Sequence, residues 1–501
     1  MAKKKKITTS PHIVQRAPIV VVMGHIDHGK STLLDYIRNT NVVAKEVGGI
    51  TQHLSAYEVV HTTKEGVEQN ITFLDTPGHA AFQKMRFRGA DVADVAILVV
   101  SAEDGVKPQT LEALTCIKEA NIPFIVAINK IDKPGANLAQ TQASLIEHEI
   151  YIEGMGGDIP WTAISALKGD GVNDLLDLVV LSAELLELKA DTNASATGVV
   201  IEGNVDNKRG NTATLIVTEG TLQTGTFVVA GSMYAPVRIM EDYRGKPLKS
   251  AGPSTPVGIV GFTDVPHAGS RFIVVDSKKA AEAFILEHAT TTSTSEASAS
   301  NLPTVPIMIK ADVLGSLEAI EHEIGSFESD RIAVRIIGSH VGPVSYSDVQ
   351  FASATENAII VGFNVPIERS AQELADRLNV EIDSFDIIYE LADWIKTTLV
   401  NKTPKRAEEQ ERGRAKILKH FSQQKNVHVL GARVEGGALS LGQKVKVLRR
   451  DLEVGVGTLK NLQQHKQDTK SVEDGEFGLQ LETKSDIVPG DVIVSYEVVV
   501  T

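Results

Sequence analysis

Nine consecutive residues, Gly24-His25-Ile26-Asp27-His28-Gly29-Lys30-Ser31-Thr32, follow an apolar run from Ile19 to Met23 and open a helix-like stretch. Gly-x-x-x-x-Gly-Lys-Ser between a strand and a helix is the pattern of a phosphate-binding loop. The two glycines let backbone N–H groups turn toward phosphate oxygens, Lys30 reaches the β- and γ-phosphates, and the Ser31 hydroxyl ligates Mg2+. A second run, Ile71 to Leu74, delivers Asp75-Thr76-Pro77-Gly78-His79, which puts a carboxylate at a strand's carboxyl end, where a further metal contact is needed. A third, Pro123 to Ile128, delivers Asn129-Lys130-Ile131-Asp132, and a fourth, Trp161 to Ile164, delivers Ser165-Ala166. The Asp132 carboxylate can accept both N–H groups on one edge of guanine. Adenine offers no such pair, and the wrong base would leave the carboxylate without partners. The expected ligands are GTP and GDP with Mg2+, with Ser165 and Ala166 closing the guanine pocket through their backbone N–H groups.

The elements that must position these residues follow from the apolar pattern. Residues 17–190 alternate strand-like and helix-like stretches, the signature of an α/β domain with a parallel-rich sheet covered on both faces. Residues 194–285 change to short alternating strands and read as a β-barrel. A Thr/Ser/Ala-rich stretch within 286–302 has nothing to bury and reads as a linker. Strand–helix alternation returns over 303–392, a further α/β domain. Residues 393–423, rich in charge, read as a helical linker, and 424–501 as a second β-barrel. The two barrels echo one another. Glu219-Gly220-Thr221-Leu222 with Gly225 and Phe227 to Val229 parallels Gly436-Gly437-Ala438-Leu439 with Gly442, Val445 and Val447, and Asp264-Val265-Pro266 with Gly269 parallels Asp486 to Pro489 with Gly490. Two barrels built with the same turn chemistry could share such phrases by chance, and duplication is the better reading.

Composition narrows the class. Of 501 residues, 42% are hydrophobic and 23% charged, which is ordinary globular usage for several domains. The single cysteine, Cys116, allows no intramolecular disulfide and no Cys-based zinc site, and reads as a buried small residue. No apolar run approaches the roughly 20 residues that span a bilayer. Residues 1–16, which carry the Lys3 to Lys6 run, read as a basic, polar tail rather than a secretory signal. These features predict a cytoplasmic location and no membrane partner. The net charge is −14, yet residues 396–470 hold 17 Lys/Arg against 7 Asp/Glu, a local balance of +10. A basic stretch in an acidic chain localises attraction to RNA at one end.

The Asp-His-Gly-Lys loop and the Asp75 to His79 segment resemble the translational GTPases. Narrower phrases are similar to bacterial translation initiation factor 2: Gly49 to His53, Gly78 to Ala90, Ala251 to Val257 and Lys310 to Ser316. The resemblance runs from about Ala17 to the C-terminus, as a short form without the long N-terminal extension of many members. It implies a monomeric GTPase with Thr51 on the Mg2+ in the GTP state, Asp75 near it through water, the Gly78 N–H on the γ-phosphate, and His79 orienting the attacking water. No arginine finger is evident, so turnover is expected to be slow until the ribosome assists. The implied partners are the small and large ribosomal subunits with their rRNA, other initiation factors, and formylmethionyl initiator tRNA held by the second barrel.

The chain departs from that family in the second barrel. Relatives usually show Ala-Gly-Cys and Glu-Cys-Gly phrases in the formylmethionine pocket, and the matching places here read Leu430-Gly431-Ala432 and Glu476-Phe477-Gly478. The resemblance assigns the pocket to Gly431, Ala432, Glu476, Phe477 and Gly478, with Phe477 filling space and stacking on the methionyl side chain, and it implies a blunter choice between formyl and free amine. Two other readings stand beside this one. An elongation-type GTPase delivering another tRNA would place two barrels consecutively after the nucleotide domain. A nucleotide-gated RNA-binding protein would bind without useful hydrolysis.

Base choice can be tested directly. Asp132→Asn should turn a preference for GTP into one for xanthosine triphosphate, because xanthine carries an oxygen where guanine carries its amino donor. Competition binding with the two nucleotides measures this, and undiminished GTP affinity in the variant would show that Asp132 does not read the base.

Overall fold

A computed structural model describes residues 12–40, 50–206, 208–288, 303–327, 332–402, 407–465 and 467–500, and the chain divides into two compact units, 1–402 and 403–501. In the first unit, a six-stranded sheet runs in the order Ser55–Thr62, Glu68–Asp75, Ile19–Gly24, Val95–Ser101, Phe124–Asn129, Trp161–Ala163. Only the first pair is antiparallel. Strand period sends Val20 and Val22 into one apolar cluster and Ile19, Val21 and Met23 into another, so the central strand is buried on both faces. Helices α1 (Lys30–Arg38), α2 (Gln83–Val92), α3 (Pro108–Glu119), α4 (Leu138–Glu147) and α5 (Val172–Leu185) complete this domain. The parallel strands all end on one side, and the loops expected to bind nucleotide leave from there.

The first barrel is a seven-stranded antiparallel sheet in the order Met233–Pro236, Phe227–Ala230, Arg271–Val275, Thr197–Asp206, Gly210–Glu219, Pro256–Val260, Met240–Glu241. It ends in α6 (Lys278–Glu287), a helix that the strand pattern did not predict. The next domain has four parallel strands ordered Ala333–Val341, Thr304–Ala311, Ile359–Phe363, Glu381–Phe385. Its helices are α7 (Leu314–Ser326), α8 (Tyr346–Ser353), α9 (Arg369–Leu378) and α10 (Ile388–Lys402). One apolar cluster joins Phe82 and Met85 of the nucleotide domain, Ile201 and Ile216 of the barrel, and Ile307 and Ile320 of this α/β domain. Ser254, from the Ala251 to Val257 phrase, ties barrel to nucleotide domain. Its hydroxyl donates to Ala17 O at 2.6 Å and accepts from Arg16 at 3.2 Å, and its carbonyl accepts from the Thr72 hydroxyl at 2.6 Å.

The second unit is a closed ring of six strands: Lys444–Arg449, Val492–Val500, Ala407–Gln424, Val427–Gly437, Glu476–Thr483 and Leu452–Gln464, which returns to Lys444–Arg449. The helical linker predicted over 393–423 is therefore helical only as far as 402 and is wrong from 407 on. Helix α10 ends at Lys402, and 407–424 is one long strand. Arg, Lys and Glu suggested a helix there, but Ala415 and Ile417 alternate inward and both are at most 1% exposed. The barrel thus begins at 407 rather than 424.

The ends of the predicted domains also shift. Ile13–Gln15 pairs antiparallel with Lys189–Asp191, so the predicted tail over 1–16 holds a strand, while residues 1–11 lie outside the described residues. Of the predicted linker, 286 and 287 belong to α6, and 289–302 lie outside the described residues. The echo between barrels extends to topology. In each, a glycine at positive φ (Gly220, Gly437) ends a long strand, a two-residue strand follows (Leu222–Gln223, Leu439–Ser440), and a second such glycine (Gly225, Gly442) precedes the next strand. Among the described residues no helix is long and apolar enough to cross a membrane.

His28 couples this fold to pH. It lies 1% exposed under the central strands, with its Nδ1 3.3 Å from the Ser101 nitrogen and 3.4 Å from Val99 O. Burial holds its pKa down at about 3, against 6.5 in the unfolded chain. Between those values the unfolded chain binds a proton that the folded one refuses, so stability is full above the unfolded value and is lost as pH falls below it. At pH 5 the loss relative to pH 7 should be roughly 2 kcal/mol from this residue. Urea unfolding at both pH values should show a shallower loss in His28→Gln, and equal slopes would place the proton uptake elsewhere.

Candidate functional site

A cleft opens at the carboxyl ends of the parallel strands, lined by Asp27, Lys30, Ser31, Thr51, Gly78 and His79 among others. The loop before α1 needs both of its glycines. Gly24 has φ 144° and a Cβ there would stand 2.3 Å from Val99 O, while Gly29 has φ 87° and would drive a Cβ to 2.4 Å from the Asn129 amide. Lys30 begins α1 and is 7% exposed. Its Nζ donates to His25 O at 2.8 Å, and burial lowers its pKa to about 8, so it remains mostly charged at neutral pH. Ile26 N donates to Gln109 at 3.0 Å, and Ile26 and Thr32 complete the wall next to Lys30.

Ser31 Oγ and Thr51 Oγ1 lie 2.7 Å apart, and Asp75 is buried at the end of its strand, with Arg38 3.7 Å from its carboxylate. Neighbouring oxygens around an octahedral Mg2+ bound at 2.0–2.1 Å stand about 2.9 Å apart, so the two hydroxyls fit adjacent positions on such an ion. A Cβ on Gly78 would come within 2.6 Å of Lys30 Nζ, which places this glycine directly beside the lysine in the cleft. His79 caps the turn Ala80–Phe82, its Nδ1 accepting the Ala81 N–H at 3.0 Å. Burial first, then the charge of Arg86, lowers its pKa to about 4, so the ring is neutral at pH 7 with its proton on Nε2.

On the base side, Asn129 is a strut. Its amide donates to His28 O at 2.9 Å and its Oδ1 accepts the Ala166 N–H at 3.0 Å, joining the phosphate loop to the Ser165-Ala166 loop. The Ser165 N–H donates to Asp170 O at 2.9 Å. The expectation that these two N–H groups face guanine is thus corrected, since protein acceptors hold both of them. Ser165 acts instead through its hydroxyl, which donates to Asp132 at 2.8 Å and holds that carboxylate below its usual pKa. Lys130, in a left-handed conformation at φ 66°, lines the cleft between Asn129 and Asp132.

Contacts from the α/β domain were not legible in the sequence. Gln52, next to Thr51, donates to Asp386 O at 2.9 Å and accepts the Ile388 N–H at 3.2 Å, grasping the first turn of α10. The Tyr389 ring lies edge-on to His79 at 4.4 Å. Arg88 on α2 pairs with Glu318 on α7 at 2.7 Å. Each contact joins residues more than two hundred positions apart, where no local pattern reports it.

The five residues assigned to the tRNA pocket do not share a surface. Ala432 and Phe477 sit directly opposite on neighbouring strands and are 1% and 4% exposed, inside the barrel core. Phe477 therefore fills the interior and does not offer its ring to a ligand. Gly431 pairs with Gly478 and faces outward, where Phe421, 60% exposed, lies 3.1 Å from the place of a Gly431 Cβ. Glu476 is ion-paired with Arg433. Strand alternation in the two phrases could have separated these faces, whereas Phe421 was hidden in the mistaken helix. The basic surplus also shrinks. Arg433, Lys460, Arg449 and Arg412 pair with Glu476, Glu482, Asp491 and Glu497, all beyond residue 470. Residues 403–501 hold 16 Lys/Arg against 14 Asp/Glu, a balance of only +2.

Three family descriptions match the chain: Elongation factor Tu GTP binding domain over residues 15–184, Elongation factor G domain 2 over 195–275, and Translation-initiation factor 2 over 281–396. Translation initiation factor IF-2 of Pelotomaculum thermopropionicum is 43% identical over 499 residues, covering 96% of this chain and 51% of that protein. Its counterpart in Campylobacter lari is 42% identical over 505 residues, covering 98% and 57%. The chain thus spans little more than half the length of the curated relatives it matches. A crystal structure of GDP-bound aIF5B from Aeropyrum pernix aligns with a TM-score of 0.49 at 26% identity, covering 96% of this chain and 92% of that one. With the guanine-nucleotide loops in place, and with relatives of one name matching nearly its whole length, the chain belongs to the translation initiation factor 2 family.

Proposed function

We propose that this chain binds GTP with Mg2+, hydrolyses it on the ribosome, and places formylmethionyl initiator tRNA on the small subunit before the large one joins. The observation that supports the nucleotide reading is the meeting of Ser31, Thr51, Gly78 and Lys30 in one cleft. In that reading Lys30 neutralises charge on the β- and γ-phosphates, and Ser31 and Thr51 hold Mg2+ with Asp75 behind them. An ion held there would supply charge stabilisation to the phosphates. The Gly78 N–H meets the γ-phosphate, and its loss frees the segments carrying Thr51 and Gly78. His79 enters as a neutral ring whose Nε2 fixes the attacking water. Domain order favours an initiation factor over an elongation-type one, because the α/β domain Thr304–Lys402 separates the two barrels. In the distal barrel, Gly431, Gly478 and exposed Phe421 form the outer surface best suited to the acylated tRNA end. The factor works as a monomer in the cytoplasm, with other initiation factors as its companions.

His79→Ala separates binding from chemistry. GTP affinity should stay within about twofold, while ribosome-stimulated single-turnover hydrolysis falls by about 10²–10³-fold. An unchanged rate would remove His79 from the reaction. Filter binding of formylated, unformylated and elongator tRNA to the unsubstituted chain should rank them in that order, and equal retention of elongator tRNA would defeat the initiator reading.

A further inference from the structure

Arg86, on α2, is the largest fully buried side chain among the described residues, at 1% exposure. Its Nη1 donates to His79 O at 2.5 Å and to Pro77 O at 3.4 Å, and its Nη2 donates to Glu112 on α3 at 2.8 Å. Burying a guanidinium carries a large desolvation cost, and its ion pair with Glu112 and these two carbonyls offset it. The carbonyl of Pro77 and the N–H of Gly78 belong to one planar trans peptide, so they point in opposite directions. Drawing the Pro77 oxygen inward to Arg86 therefore turns the Gly78 N–H away from Arg86, and Gly78 itself lines the cleft beside Lys30. Gly78 has no side chain to resist the opposite orientation of this peptide, so the preference must come from what holds the carbonyl.

We infer that Arg86 is a positioning residue for the γ-phosphate: it locks the Pro77–Gly78 peptide with its N–H toward the cleft and thereby sets the preference for GTP over GDP. This rests on the reading of the cleft as a GTP site. Glu112 anchors the guanidinium and acts through it. The β-phosphate is held by the loop Gly24 to Ser31, which Arg86 does not contact through any of these bonds, so GDP should be indifferent to the lock.

The test uses the full chain with Arg86→Lys, which keeps the charge but loses the fork, and with Glu112→Gln, at a side chain 39% exposed. Affinities for a non-hydrolysable GTP analogue and for GDP are measured in each, with melting temperature alongside. GDP affinity should stay within about twofold. Analogue affinity should weaken about tenfold in Arg86→Lys and about threefold in Glu112→Gln. Equal losses for both nucleotides, or an unchanged ratio in both variants, would make Arg86 a merely structural residue and overturn the inference. If Arg86→Lys does not fold, the ratio in Glu112→Gln decides alone. Failure of the unsubstituted chain to bind either nucleotide would defeat the GTP reading and the inference together, which sets that failure apart from a change in ratio.

Discussion

A cleft that receives a polyanion on backbone N–H groups must be made of loops, and loops hold their shape only when something behind them satisfies the groups that face away. Buried polar side chains supply that constraint here. Asn129 spans from His28 O to the Ala166 N–H, and Arg86 spans from the Pro77 and His79 carbonyls to Glu112. Each bond fixes the orientation of a peptide plane in a loop that lines or backs the cleft. The central strand Ile19–Gly24, packed on both faces, gives these struts a rigid base. Loss of a strut would leave buried partners unsatisfied, so the loops and the core behind them form one cooperative object.

The nucleotide site was largely legible in the sequence because its chemistry is local. Gly24 to Ser31, Asp75 to His79 and Asn129 to Asp132 each sit at a strand's end, where a short phrase encodes both the residue and its placement. Domain order was legible for a related reason, since period-2 and period-3.6 patterns persist over tens of residues. The misreadings have physical causes. Residues 407–424 carry helix-forming charged side chains on the outward face of a strand, and propensity misled where Ala415 and Ile417 alone reported the period. The pocket assignment followed sequence phrases, but Ala432 and Phe477 alternate inward while their neighbours face out. The charge window stopped at 470, whereas barrel closure pairs its cations with acids from 476–497.

What no window could show is how the domains of the first unit grip one another. Gln52 stands beside a residue expected to sense the γ-phosphate, and both ends of its amide are bound to the start of α10. Arg88 stands one helix after His79 and is bound to α7. Both nucleotide-facing segments therefore carry a polar hand on the α/β domain. The barrel, in contrast, is joined at Ser254 to Arg16, Ala17 and Thr72, residues on the far side of the sheet from the cleft. Rearrangement at the cleft would strain the first kind of contact and spare the Ser254 contact, while Ile201 and Ile216 of the barrel share an apolar cluster with Phe82 of the cleft wall.

The closed ring of the second unit has a consequence for how its recognition can change. The six long strands are paired all round, so among the described residues the edge left open in this sheet is the two-residue strand Gln467–Asp468, and the rest of the ring presents side chains on its outer face. Inside, Ala432 stands opposite Phe477, a small residue against a large one across a single ladder step. Interior volume can be traded between such opposed positions while the backbone stays put. The inner lining and the outer surface of this barrel are therefore free to drift independently, and a chain can keep its outer face while its interior is rewritten.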